Sequence, residues 1–251
     1  MSRIVKKFSS GKKVVTEIKL NEYARVAGLA YIIVILLGIF SMNFIESNII
    51  VPNNISATYS NILGNETLFR ISLLSETIMY MLVILLSLSL FVVLKTEDKN
   101  LALLAFLWRV AEAIIGAGIV VISGLIPLAL IKTEKLFPTN QAHSLLKLFL
   151  DIRISGLDIV LMFVGVGGTI FCYLFYKSNY VPRFLAGWGI FTYLSMLLLS
   201  FFSLLLPNFP QTYKMIFYVP GGLFELIFGF WLLFKGVNIK YVEENFITKT
   251  N

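Results

Sequence analysis

The chain holds one cysteine, Cys172, and one histidine, His143. A single cysteine excludes an intramolecular disulfide framework. In the middle of an apolar run, Cys172 reads as a small packing residue. One histidine excludes a paired-histidine zinc or haem site, because such centres draw on several His or Cys ligands. Charge is scarce too: 14% of residues are charged, against about 25% in a soluble domain. Nucleophile signals are equally thin. No G-x-S-x-G occurs, and no S-x-x-K lies within an apolar run. Gly165–Gly168 is no phosphate loop, since no basic partner follows it. Its small residues suit close helix packing. No cofactor motif is present, and none is expected.

What the chain has instead is apolar length. Hydrophobic residues make up 58% of it, and the mean hydropathy is +0.85. Soluble domains reach roughly 45–50% even with glycine counted. The surplus must face lipid. Six runs meet the length of a spanning helix: about Val26–Ile45, Ile71–Leu94, Leu101–Ile131 with a bend near Pro127, Ile154–Tyr176, Phe184–Leu206 and Ile216–Phe234. They are long and lack strict alternation, so they read as helices. The fold class is therefore an all-α polytopic membrane bundle of six transmembrane helices. Residues 1–25 form a basic arm, 26–236 the membrane domain and 237–251 a short tail. The first run is full length and lacks a small-residue exit, so it reads as a retained helix rather than a cleaved signal.

The net charge of +7 is modest and lies in ends and connections, which is a topology signal rather than a nucleic-acid one. With the N-terminus inside, the inner side holds the arm's basic residues with Lys95, Lys99, Lys177, Arg183, Lys235, Lys240 and Lys249. They outnumber Arg70, Lys132, Lys135, Lys147, Arg153 and Lys214 outside. Both termini are thus expected in the cytoplasm. In the arm, Lys6, Lys7, Lys12 and Lys13 alternate with apolar residues. That pattern serves topology and also suits anionic lipid as a partner. Of the long outer connections, Lys132–Arg153 predicts a short amphipathic helix over Ser144–Phe149 on the membrane surface. His143 reads as an exposed loop residue. The short inner connections make helices two and three, and four and five, antiparallel neighbours.

Five ionisable residues fall inside the runs: Glu76, Arg109, Glu112, Asp158 and Glu225. Intramembrane charges cost at least a few kcal/mol each and face a partner or a polar cavity. At 1.5 Å per residue, Arg109, Glu112 and Glu225 lie near the midplane, and Glu76 and Asp158 roughly 6–8 Å below the outer boundary. Arg109 and Glu112, at i and i+3, can pair. Asp151 and Asp158, seven apart, share a face. Gly222, Glu225 and Gly229 share another, which turns Glu225 toward a neighbouring helix. Four buried carboxylates then stand against one guanidinium. That imbalance suggests a cavity that binds or passes a small solute, cation or proton, with Arg109, Glu112, Glu225, Glu76, Asp158 and Asp151 as candidate residues. Two rival readings remain: charges acting as interhelical glue in a structural or accessory subunit, or an enzyme on a lipid-like substrate at the outer boundary. The latter would use Asp158, Asp151, Glu76 and His143.

Several blocks resemble a known family. They are Ala-Arg-Val-Ala-Gly-Leu-Ala-Tyr from Ala24, Ile-Val-Pro from Ile50, Leu-Phe-Arg from Leu68, Trp-Arg-Val-Ala-Glu from Trp108, Phe-Leu-Asp-Ile-Arg from Phe149 and Trp-Leu-Leu-Phe-Lys-Gly from Trp231. In order and spacing, from about Asn21 onward, they resemble the bacterial DUF4386 family. The resemblance implies a six-span protein of the bacterial cytoplasmic membrane. It implies no activity and assigns no role to Arg109, Glu112 or Asp151, which fall within these blocks, or to Glu225.

Overall fold

The computed structural model describes residues 2–42, 47–132, 138–206 and 209–238. Side chains are described from Lys19 onward, apart from residues 211, 212 and 215. Lys6, Lys7, Lys12 and Lys13 of the N-terminal arm and the residues beyond 238 therefore lie outside the described side chains.

The described residues are helical and contain no strand. In chain order the helices are α1 (Ser2–Ile39), α2 (Ser47–Ile49), α3 (Ile55–Gly64), α4 (Glu66–Leu94) and α5 (Lys99–Val120). A π-helical turn, Val121–Leu125, joins α5 to α6 (Ile126–Lys132). Then follow α7 (Thr139–Ser178), α8 (Arg183–Leu205) and α9 (Gln211–Phe234). Six stretches are long and apolar enough to cross a membrane: α1 from Lys19, α4, Lys99–Lys132, α7, α8 and Ile216–Phe234 of α9.

Local chemistry places the ends. Asp98, in extended backbone, caps α5 by accepting from the N–H groups of Asn100 and Leu101 at 3.0 and 3.1 Å, satisfying donors that a helix start leaves orphaned. Pro182 and Pro210 precede α8 and α9. Asn179 stops α7 in the left-handed region at φ 54°, which asparagine tolerates better than most residues. Gly236, at φ +66°, stops the run after α9; a Cβ there would also strike the Asn21 side chain.

The spans form a closed ring in chain order. α1 packs on α4, α4 on α5, α5 on α7, α7 on α8 and α8 on α9, which returns to α1. Closure depends on two glycines. A Cβ on Gly28 would lie 2.5 Å from the Gly229 carbonyl oxygen and from the Leu233 nitrogen, so the α1 and α9 backbones touch. On the α7–α8 side, Gly165 meets the Tyr193 carbonyl and Gly168 the Tyr193 ring. Large apolar residues such as Met81, Ile114, Phe191 and Val219 are exposed around the ring, as a lipid-facing surface requires. The start of the apolar stretch of α1 meets the chain just after α9, where the Val237 N–H donates to Asn21 Oδ1 at 2.9 Å. The turns after α4 and α7 join them, through Lys177–Glu97 at 3.2 Å and Asn238 N–H to the Tyr180 carbonyl at 2.9 Å. We call this the basic face.

Two expectations need correction. Ser144–Phe149 is not a separate surface helix. It belongs to α7, whose 40 residues extend roughly 60 Å, about twice the bilayer's hydrocarbon core. No proline or glycine interrupts Thr139–Ser155, so nothing breaks the helix before the span. The projecting turns bury Ala142 and Leu146 and carry α3 against them. His143 is not an exposed loop residue either: half-buried on α7, its ring meets Tyr59 of α3 edge-on at 5.0 Å. At Pro127, the irregularity is the π-helical turn just before it. Proline lacks the N–H that would bond the carbonyl four residues back, which accommodates such a turn.

Candidate functional site

Arg109 and Glu112 of α5 are almost fully buried, at 5% and 3% exposure, and pair at 2.8 Å. The contact joins charges but is poorly aligned: Arg109 Nη1 and Glu112 Oε2 complete no hydrogen bond among the described residues. Such buried polar atoms are costly and call for an explanation. The stem of Arg109 lies on Gly167 of α7, where a Cβ would come within 3.0 Å of its Cγ. The glycine gives the side chain its room.

Glu225 of α9 is half-buried. Its Oε1 accepts from the Tyr193 hydroxyl of α8 at 2.8 Å. Tyr193 in turn meets the Tyr31 hydroxyl of α1 at 3.2 Å. Three helices thus join in one chain of hydroxyls ending on a carboxylate. No cation lies within ion-pairing distance of Glu225 among the described residues, although the field of Arg109 reaches it. One turn from Glu225 toward the basic face, Phe228 packs with Phe175, Phe224 and Tyr31 at centroid distances of 5.3–5.7 Å. One turn in the other direction, a Cβ on Gly222 would meet nothing within 4 Å. Aromatic rings thus pack on the basic-face side of Glu225, and the backbone one turn away has room beside it. As its spacing with Gly229 predicts, it faces a neighbouring helix.

Glu76 and Asp158 have separate partners. Glu76 of α4 pairs with Arg153 of α7 and accepts from Ser41 Oγ at 2.8 Å. Ser41 also meets Ser72 at 2.7 Å, and Arg153 donates to Ser123 at 3.3 Å. Ser123 sits in the π-helical turn, and Ser41 in a shorter one, residues 40–42, at the end of α1. Two local windings therefore present hydroxyls to one ion pair. Asp158 of α7 receives Lys214 of α9 on both carboxylate oxygens, at 2.6 and 2.9 Å, and Ser203 of α8 at 2.7 Å. Asp151 stands apart from all of these. It is exposed and lines a cavity of about 430 Å³ with Lys147 and residues of the connection before α3. Glu76, Asp158, Asp151 and His143 thus go to four different places. Among the described residues no three His, Cys, Asp or Glu side chains cluster as a metal site would need.

The charge accounting changes accordingly. Four carboxylates do not face one base, because Arg153 and Lys214, read as outer-face charges, reach into the bundle. Lys214 is 7% exposed. Glu76–Arg153 and Asp158–Lys214 are each neutral as pairs. The centre holds Glu112, Glu225 and Arg109, two carboxyl groups and one guanidinium, so one carboxyl has no cation of its own among the described residues. A sequence signal for the missed cations exists. Lys214 is at helical spacing from Tyr218, Gly221 and Glu225. Arg153 heads a buried stripe through Gly156, Val160, Val164, Gly167 and Phe171.

A family model described as "Domain of unknown function (DUF4386)" matches residues 26–236. No curated protein and no solved structure matches the chain.

Proposed function

The chain belongs to the DUF4386 family, and from that premise we propose a membrane protein that binds a proton or small cation at Glu225. The observation that carries this is the excess of carboxyl groups over cations at the centre. A carboxylate at that depth costs several kcal/mol unless something neutralises it. A proton or small cation arriving there is held by Glu225, with the Tyr193 and Tyr31 hydroxyls as further oxygen partners. The aromatic packing around Phe228 separates this point from the basic face, so the room beside Gly222 is the approach. Pro220 lies inside α9 beside Gly221 and Gly222. The joint divides the helix between Lys214, held by α7, and Gly229, held by α1. Motion there would vary access to Glu225. By charge bias the basic face is the cytoplasmic one, in a bacterial cytoplasmic membrane.

The rival reading of charges as glue is favoured for the other two pairs. Glu76–Arg153 and Asp158–Lys214 are neutral and hydrogen-bonded across helices, as interhelical ties are. The reading as a lipid-directed enzyme draws no support from four outer-boundary residues with four separate environments.

Ligand linkage tests the proposal. A species bound by the folded state alone raises its unfolding midpoint as concentration rises. The midpoint of purified protein is expected to move with pH, or with sodium or potassium at fixed ionic strength. Glu225→Gln should abolish the response to sodium or potassium and reduce the response to pH, which the other buried ion pairs share, while the protein stays folded. A wild-type midpoint indifferent to both, or the same response in Glu225→Gln, contradicts the proposal.

A further inference from the structure

A second cavity, of about 410 Å³, opens at the basic face where the α7–α8 turn meets the end of α9. We infer that it binds a phosphate-bearing anionic headgroup. The inference is independent of the reading of Glu225.

The cavity is built rather than incidental. Tyr180, Val181 and Val237, all at most 3% exposed, give it an apolar floor. The chain after α9 is drawn over that floor by two hydrogen bonds, from the Val237 N–H to Asn21 and from the Asn238 N–H to the Tyr180 carbonyl. The rim is cationic. Arg183 and Lys235 line it, and among the described residues no carboxylate does. Neither cation has an acidic partner among the described residues, whereas nearby Lys177 is engaged by Glu97.

Arg183 is also held in place. Its Nε donates to Asn179 Oδ1 at 2.6 Å, and its guanidinium carbon lies 5.6 Å from the centre of the Tyr176 ring. Of the five guanidinium donors, those on Nη1 and Nη2 remain for a ligand. That fork suits two oxygens of one phosphate. Half-buried Trp231 completes the lining, and an amphipathic ring at membrane-interface depth favours contact with the glycerol end of a lipid. Basic pockets between helices on the cytoplasmic side are the places where anionic headgroups lodge.

The test uses the full chain in phosphatidylcholine vesicles. Trp231 fluorescence is read in a Trp108→Phe, Trp188→Phe background against brominated phosphatidylglycerol or brominated phosphatidylcholine. Native mass spectrometry of otherwise wild-type protein in mixed micelles gives a second readout free of those changes. Phosphatidylglycerol is expected to be preferred. Arg183→Gln and Lys235→Gln should each lower the preference roughly fivefold. Lys95→Gln, whose cation lies over Phe91 outside the cavity, should leave it unchanged. Inorganic phosphate separates the sources: relief of quenching by phosphate assigns the site to a soluble phosphate compound, and no relief assigns it to lipid. An Arg183→Gln, Lys235→Gln variant that keeps the wild-type preference in both readouts overturns the inference.

Discussion

Lys214 enters the bundle from the first turn of α9 and satisfies both oxygens of Asp158. Removing one member of a buried pair leaves the other charge stranded, at a cost of about 3–5 kcal/mol. Asp158→Asn or Lys214→Met should therefore lower the unfolding midpoint in detergent sharply. The joint change Asp158→Leu, Lys214→Met should recover most of the loss, since a well-packed apolar pair often equals a buried ion pair. Glu225→Gln should behave differently. It keeps the hydrogen bond from Tyr193 and removes a carboxyl group with no cation of its own, so stability should hold or rise rather than fall. At this scale the site was only half legible. Glu76, Arg109, Glu112, Asp158 and Glu225 stand out because each interrupts an apolar run, and the i, i+3 spacing of Arg109 and Glu112 already implies their pairing. Arg153 and Lys214 do not stand out, because a residue at the end of a run looks like any loop charge. Their role depends on how far α7 and α9 extend past the apolar segment.

Helix extension and helix contact decide what lies near the site. The six spans are legible because each carries enough consecutive apolar residues to cross the hydrocarbon core, a length signal that tertiary context does not override. The outer turns of α7 carry no such signal, since Asp151 and Arg153 interrupt the hydropathy although no residue interrupts the helix. Gly222 and Gly229 show the same limit. Sequence places them on one face with Glu225, yet their surroundings are opposite. A Cβ on Gly229 would lie 3.0 Å from Tyr31 Cβ and 3.2 Å from the Gly28 carbonyl oxygen, while one on Gly222 meets open space. Gly229→Leu should thus force α1 and α9 apart, costing about 3 kcal/mol or more, seen as a large drop in midpoint. Gly222→Leu should leave the midpoint within about 0.5 kcal/mol. It should nonetheless weaken the cation or proton response, because the new side chain stands in the approach to Glu225.

The ring of six spans sets the two faces of the whole molecule. Its order follows the chain, and α9 closes on α1, so both ends of the membrane domain share the basic face with the turns after α4 and α7. The charge bias predicts that this face is cytoplasmic. In a Cys172→Ser background, Asn100→Cys should resist a membrane-impermeant maleimide in intact cells and Gln141→Cys should react; both positions are exposed. The reverse labelling would invert the orientation. Within the ring, two ion pairs tie helices together, while Glu112 and Glu225 share the centre with one guanidinium, the imbalance on which the reading of Glu225 rests. Capacitive currents from proteoliposomes adsorbed on a solid-supported membrane test it most directly. A step in pH, or in sodium or potassium at fixed ionic strength, should give a transient current in wild-type protein and none in folded Glu225→Gln. Equal currents in the two, or none from the wild type, would contradict it.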